Sequence, residues 1–307
     1  MRNDWTTVDT SKCQALLTVL EKGNLAHAAE ELGYTTSGIS RMMSSLEAEV
    51  GFPLLVRSKT GVKPTADCRT MLPTFTQLAT LGESCEEQAS LIRGIEVGRV
   101  RVGTAYRPFY DPIAELLAEF SDAHPGVEVD FTARNSSPLV RGIERGRLDL
   151  AVISHREGDF TWTPLLEDPM VALVPADHPL ANASAYPIER FAQDAFILLY
   201  PDEESDNSRT LASHGIQPNA HNTVLELRDA FELVAVGLGV TMINRVYADV
   251  HDERVHVLPL DPAVNISIGI ATPAPGLSSP AARAFADFAM PRLSRVARKL
   301  SRQAARG

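Results

Sequence analysis

The sequence predicts an α/β protein preceded by a small all-helical unit, and three observations carry that reading. Residues 1–65 hold helix-spaced apolar stripes cut by glycine turns, residues 66–95 hold one helical pattern, and from Gly98 onward short strand patterns alternate with helical ones. A chain of 307 residues has room for two or three compact units. Its 44% hydrophobic and 22% charged residues suit globular units with real cores. No stretch approaches the roughly 20 apolar residues that span a bilayer. Met1 to Lys12 is polar and lacks the apolar core of a signal peptide, so a cytoplasmic protein with no membrane partner is expected.

In the first unit Cys13, Leu16, Leu17 and Leu20 share one helical face. Gly23-Asn24 ends that helix, and Asn24 can cap the next. Leu25 to Leu32 reads as a short second helix whose Ala28-Ala29 lets a neighbour approach closely. Gly33-Tyr34 turns the chain. Thr35 can cap a third helix to about Val50, with Ile39, Met43, Leu46 and Val50 on one buried stripe. Two short helices joined by a tight glycine-containing turn are a helix-turn-helix pattern, although spacing alone fits a plain three-helix bundle equally. After Gly51, the run Leu54-Leu55-Val56, the turn Ser58-Lys59-Thr60-Gly61 and Val62-Lys63-Pro64 read as a small hairpin, a wing.

From about Thr65 to Ile95 one long helix is expected, because Leu72, Phe75, Leu78, Leu81, Cys85 and Ala89 recur at steps of three and four. Pro73 should kink it or mark its start. It reads as a linker or dimer helix, with a core helix of the next domain as the other option. Beyond it, Arg99 to Val102 alternates as a strand, Asp111-Pro112 opens a helix bearing Ile113, Leu116, Leu117 and Phe120, and Val127, Val129 and Phe131 alternate as a second strand. Ser137-Pro138 caps a helix bearing Leu139, Val140 and Ile143, and Leu148 to Ile153 is a buried strand. Such alternation gives an α/β sheet with right-handed crossovers. The texture resumes at Met170 to Pro175, Phe196 to Leu199, Ala230 to Gly237 and Val240 to Ile243. Ala281 to Met290 closes the chain as an amphipathic helix, and Arg295 to Arg306 reads as a solvated basic tail.

The net charge is −10, yet residues 1–65 carry seven basic and seven acidic residues, so the whole deficit lies outside the first unit. Val50 to Ala66 contains Arg57, Lys59 and Lys63 and no acid, a local footprint suited to a phosphate backbone. Cys13, Cys68 and Cys85 are odd in number and widely spread, which points to free thiols rather than a disulfide framework or a zinc ribbon. No metal site and no cofactor are expected. The sequence has no Gly-x-Ser-x-Gly elbow, no His-Glu-x-x-His and no P-loop, and Gly237-Leu238-Gly239 lacks the third glycine of a dinucleotide loop, all of which argues against an enzyme.

The run Ala28-Ala29-Glu30-Glu31-Leu32-Gly33-Tyr34-Thr35-Thr36-Ser37-Gly38-Ile39-Ser40-Arg41 closely resembles the LysR-type transcriptional regulator family, and the likeness continues through Leu46-Glu47 and Gly51-Phe52-Pro53-Leu54-Leu55-Val56-Arg57. Later fragments resemble it too: Gly98 to Gly103, Gly146 to Ala151, Asp177 to Ala181 and Gly237 to Val240. Departures from the family pattern are Leu55 for Phe, Gly38 for Ala, Thr36 for Gln, Asn244 for Pro and Ala66-Asp67 for Ala-Gly. The resemblance implies a winged helix-turn-helix over 1–65, a linker and dimerisation helix over 66–95, and an effector domain over 96–295, with 296–307 as tail. It implies two lobes like those of a periplasmic binding protein, lobe I at about 98–168 plus 265–292 and lobe II at about 169–264.

In such a protein the second helix of the motif enters the major groove of double-stranded promoter DNA. That places Thr35, Thr36, Ser37, Ser40 and Arg41 at bases or phosphates, and Arg57, Lys59 and Lys63 at the backbone or minor groove. So few cations per chain require a homodimer or homotetramer. Ligands of two-lobed domains bind between the lobes, at strand ends and helix N-termini. Thr104, Tyr106, Arg107, Asn135, Ser136, Ser137, Ser154 and His155 are the lobe I candidates, and Tyr200 and Thr223 those of lobe II. Hydroxyls, amides and Arg107 together favour a small carboxylate or a phenolic acid. Ligand-driven lobe closure would then alter DNA bending or contact with RNA polymerase. The alternatives are a two-lobed solute-binding protein without a DNA role, and a thiol sensor, which would need paired cysteines beyond Cys85.

Overall fold

The computed structural model describes residues 8–58, 61–92, 97–201, 204–248 and 252–304. Three helices open the chain: α1 (Thr10–Lys22), α2 (Leu25–Glu31) and α3 (Thr36–Val50). Their ends follow from the sequence. Asp9, Asn24 and Thr35 each accept a bond from a backbone N–H of the first turn, and Gly23 and Gly51 close α1 and α3 in the left-handed conformation. Cys13, Leu16, Val19, Ala28, Ala29, Ile39, Met43 and Leu46 form the small core. The wing is the antiparallel pair β1 (Leu55–Ser58) and β2 (Gly61–Pro64).

The linker helix α4 (Ala66–Ile92) runs through Pro73 without ending there. Thr65 precedes it, accepting from the Cys68 N–H at 3.0 Å and donating to the Pro53 carbonyl at 2.9 Å. Its buried face differs from the expected stripe. Cys68, Phe75 and Ala79 join the N-terminal core, whereas Cys85 and Ala89 are exposed and Leu81 and Leu91 are 47% and 43% exposed. The reason is that α1 packs against α4 and reaches its middle, where Thr10 meets Gly82 and Gln14 bonds Glu83, while the polar Thr76, Ser84 and Ser90 are also buried.

The remainder is built from β3 (Gly98–Thr104), α5 (Tyr110–Ala123), β4 (Val127–Ala133), α6 (Ser136–Glu144), β5 (Leu150–Ser154), β6 (Phe160–Pro175), β7 (Tyr186–Pro187), β8 (Phe196–Leu199), α7 (Asp206–Ser213), β9 (Ala220–Val224), α8 (Leu227–Ala235), β10 (Thr241–Asn244), β11 (Val255–Asp261), β12 (Asn265–Pro273) and α9 (Pro280–Ala304). Among the described residues one sheet runs β4-β3-β5-β12-β6-β11-β7, with β10 also on β6. The long β6 crosses between the two lobes. Residues 160–169 pair with β12, and residues 170–175 with β10 and β11. Lobe I packs α5 and α9 on one side of its strands and α6 on the other. Lobe II has two cores around the outer half of β6.

The expected solvated tail is corrected here. The last helix passes Pro291 and continues to Ala304, and Leu293 and Ala297 are fully buried in the lobe I core beside Val296 and Leu300. Those four residues repeat at helical spacing, and the interleaved arginines occupy the other face.

Candidate functional site

Two surfaces carry chemistry. The first is the start of α3. Ile39, Met43 and Leu46 anchor one face in the core, so the opposite face must point outward. Thr35, Thr36, Ser37 and Arg41 are exposed there, and Ser40 is half-buried. The Thr35 hydroxyl accepts from the Gly38 N–H at 3.1 Å and lies 3.1 Å from the Ser37 hydroxyl. The Arg41 Nε donates weakly to the Ser37 carbonyl at 3.4 Å. Lys63 is exposed on β2, Lys59 lies outside the described residues, and Arg57 is placed on β1 by its backbone.

Two contacts aim the wing, and neither is among the residues singled out from sequence. The Glu47 Oε1 accepts from the Leu54 and Leu55 N–H groups at 2.8 and 3.1 Å, tying the wing's first strand to α3. The Val62 N–H donates to the Gly23 carbonyl at 2.8 Å. A Cβ on residue 61 would sit 2.5 Å from that same carbonyl, and φ there is +119°, so only glycine fits. Glu47 had a signal, since it belongs to the Leu46-Glu47 pair of the resemblance. Arg69, an exposed cation bonded to the Pro64 carbonyl at 2.8 Å, was missed because it sits in the linker's first turn.

The second surface lies where lobe I meets α7. Tyr106 and Ser154, both expected, converge there with Arg156, which was not. The Tyr106 hydroxyl donates to Asp206 Oδ2 at 2.5 Å, and the Ser154 hydroxyl to Asp206 Oδ1 at 2.6 Å. Arg156 Nη2 donates to Oδ1 at 3.2 Å and Nη1 to the Ser154 hydroxyl at 2.6 Å. Ser136 holds this group in place: its hydroxyl accepts from the Ser154 N–H at 3.0 Å. The Ser137 hydroxyl donates to Glu204 at 2.8 Å. Asn135, rather than Ser137, occupies the cap position of α6, which starts two residues earlier than the Ser-Pro signal indicated. Burial first, then the neighbouring Asp206, pushes the Tyr106 phenol well above its ordinary pKa, so it stays a donor.

Other candidates fall outside this cluster. The Thr104 hydroxyl is fully buried and spent on the local turn, accepting from the Tyr106 N–H at 3.1 Å. Arg107 is exposed at the start of a 3-10 turn. The His155 ring packs edge-on against Trp162, and only its carbonyl meets the cluster, accepting from Arg156 at 2.9 Å. Thr223 is exposed on β9, and Tyr200, with φ of +54°, packs in the second lobe II core. Behind the cluster Asp168 is fully buried on β6. Its Oδ1 accepts from the Val246 N–H at 3.1 Å, while Oδ2 has no partner. Burial pushes its carboxyl up to about 7, against the pull of the Val246 N–H and Asn244.

The thiols do not form a sensor pair. Cys13 and Cys68 are buried in the N-terminal core, and burial pushes each up to about 11; Cys85 is exposed on α4. No group of three or more metal-ligating side chains occurs among the described residues, and no described helix is long and apolar enough to cross a membrane.

Comparison with known proteins agrees with this division. The "Malonate utilization transcriptional regulator" of Klebsiella pneumoniae is 25% identical over 256 residues, covering 81% of this chain and 83% of its own. The "Probable HTH-type transcriptional regulator LrrA" of Synechococcus elongatus is 26% identical, covering 91% and 96%. A full-length OxyR from Pseudomonas aeruginosa, carrying one substitution, superposes with a TM-score of 0.67 at 21% identity, covering 95% and 98%, which shows the shared fold. A family model described as "Bacterial regulatory helix-turn-helix protein, lysR family" matches residues 11–69, which removes the reading without a DNA role. The model described as "LysR substrate binding domain" matches residues 93–294, and with both halves in place the chain belongs to the LysR family of DNA-binding transcriptional regulators, not to a family of enzymes.

Proposed function

We propose that the chain reads promoter DNA with the first turns of α3 and with its wing, and that a small carboxylate or phenolic acid bound between the lobes modulates that reading. One observation carries it: a buried apolar face on α3 forces Thr35, Thr36, Ser37 and Arg41 outward, and the wing that follows exposes Lys63. Hydroxyls and a guanidinium on a protruding helix end suit major-groove bases and phosphates. The donors gathered at Tyr106, Ser154 and Arg156 support the ligand class, being matched to a carboxylate. The Klebsiella relative is named for malonate utilization, and malonate is a small dicarboxylate.

The DNA-bound form is a homodimer or homotetramer. The exposed Leu81 and Leu91 on α4 support this, since apolar side chains on a linker helix gain by meeting a second copy. Ligand-dependent lobe movement re-angles α4 and so changes DNA bending or contact with RNA polymerase, in the cytoplasm where promoter DNA is found. A gel-shift experiment at low salt, using the DNA upstream of the chain's own gene, tests the first half. A retarded complex that Arg41→Ala weakens is expected; no complex with the intact protein overturns it. A thermal-shift screen of small carboxylates and phenolics tests the second half, because a ligand of the native state raises Tm.

A further inference from the structure

We propose that Tyr106, Ser154 and Arg156 form a carboxylate-binding site on lobe I which the chain fills with its own Asp206, so that a carboxylate effector enters by displacing that side chain. The inference rests on the reading that the effector lies between the lobes, and goes further by naming the donors and their resident occupant.

Asp206 belongs to lobe II. It is the first residue of α7, whose Leu211 is buried in a lobe II core and whose Asn207 Nδ2 donates to the Met242 carbonyl at 2.5 Å. The three donors belong to lobe I: Tyr106 follows β3, Ser154 ends β5 and Arg156 follows it. The Asp206 carboxylate therefore crosses from one lobe to the other, and both of its oxygens are taken. Oδ2 accepts from the Tyr106 hydroxyl at 2.5 Å, and Oδ1 from the Ser154 hydroxyl at 2.6 Å and Arg156 Nη2 at 3.2 Å. Tyr106, Ser154 and Arg156 are all buried, and the Arg156–Asp206 side chains are 9% and 10% exposed.

Two hydroxyl donors and a guanidinium around one carboxylate recognise the carboxylate itself, whichever molecule supplies it. Lobe I holds Ser154 and Arg156 with bonds of its own. Ser136 accepts from the Ser154 N–H, and Arg156 Nη1 is fixed by the Ser154 hydroxyl and the His155 carbonyl at 2.6 and 2.9 Å. Glu204 repeats the arrangement next door, accepting from Ser137 at the N-terminal turn of α6. An occupant held by donors that any carboxylate can use can be exchanged. A free carboxylate taking its place would keep every lobe I bond while cutting the Asp206 tie to α7. Among the described bonds between α7 and lobe I that leaves only the one from Arg209 to the His155 carbonyl at 3.1 Å, which joins ligand entry to lobe movement.

The test uses the full chain with Asp206→Ala and acetate as the probe, acetamide and chloride serving as controls. Acetate should restore what the side chain supplied. At about ten times its Kd it should raise the Tm of Asp206→Ala by about 3 °C. Acetamide and chloride should not, and the intact protein and Arg156→Ala/Asp206→Ala should not respond. Should Asp206→Ala fail to fold, Asp206→Asn takes its place, with an acetate response between those of the intact protein and a vacated site. A folded variant that acetate stabilises no more than acetamide does overturns the proposal, as does an equal acetate response in the Arg156→Ala/Asp206→Ala protein. The two readings fail separately. A carboxylate screen that stabilises the intact protein while Asp206→Ala gains no acetate response leaves the effector reading standing and removes the internal occupant. Acetate rescue without any change in DNA affinity keeps the site and removes its regulatory part.

Discussion

Thr35 and Arg41 share the exposed start of α3 but serve it differently. Thr35 terminates the helix, since its hydroxyl accepts from the Gly38 N–H, whereas Arg41 spends only a long bond on the Ser37 carbonyl. Thr35→Ala should therefore cost about 1 kcal/mol of stability in a urea titration. Arg41→Ala should leave stability nearly unchanged, weaken DNA binding, and lower the slope of log affinity against log salt by about 1. Equal salt slopes for the two proteins would remove Arg41 from the phosphate contacts. Asp168 allows a pH prediction. Its folded-state pKa of about 7 stands above the ordinary 3.8, so between those values the folded chain holds a proton that the unfolded chain has released. The group is most favourable to folding below its unfolded pKa, and that contribution is lost as pH rises through about 7. Tm measured from pH 5 to 8 should fall for the intact protein and fall less for Asp168→Asn. Caps such as Asn24 and Thr35 were legible because each satisfies a donor within three residues. Arg156 was not, because its partner lies 50 residues away and no local pattern records that distance.

At the level of elements, local periodicity showed most of the helices and the inner strands, and failed where tertiary packing decides. The first half of β6 reads as irregular, with Pro164 and Pro169 inside it, yet pairing with β12 along residues 160–169 makes it a strand. The end of α9 was misread for the opposite reason. Pro291 breaks a helical hydrogen bond and costs about 3 kcal/mol in a helix interior. Burial of Leu293 and Ala297 beyond it offsets that cost, so the helix continues. Leu293→Ala should accordingly destabilise the protein by about 2–5 kcal/mol, read as a lower urea midpoint. A loss below about 0.5 kcal/mol, the range of ordinary surface changes, would mean that this segment is the solvated tail its arginines suggested. The stripe on α4 divides in the same way. Phe75 and Ala79 turn inward, while Leu81 and Leu91 stay exposed in the single chain. Leu81→Glu should thus shift sedimentation toward a smaller species while leaving the fold, monitored by circular dichroism, unchanged.

In the whole molecule α4 is the physical connection between DNA reader and effector lobes, because it packs on both. Its first half shares a core with α1, and its second half touches lobe I at three places: Glu83 with Arg101 at 3.7 Å, Glu87 with the Ala281 N–H at 3.3 Å, and Thr80 against the turn at Gly146. A direct bridge, Arg147 to Glu21 at 3.3 Å, adds little, since both side chains are more than a third exposed. The Gly146 contact leaves no room for a side chain. Its φ is +61°, and a Cβ there would lie 2.5 Å from the Thr80 hydroxyl oxygen. Gly146→Ala must therefore bear a left-handed backbone, costing roughly 1–2 kcal/mol, and push the turn away from α4 as well. Thr80→Ala in the same chain removes the second burden and keeps the first. If α4 transmits lobe position to the reader, Gly146→Ala should lose stability and change DNA affinity, and the double variant should recover the DNA affinity while retaining the backbone cost, a coupling that a double-mutant cycle measures. DNA affinity that stays constant across all four proteins while stability varies would show that docking of α4 on lobe I ends at the lobe, and that the reader is governed through contacts between copies of the chain.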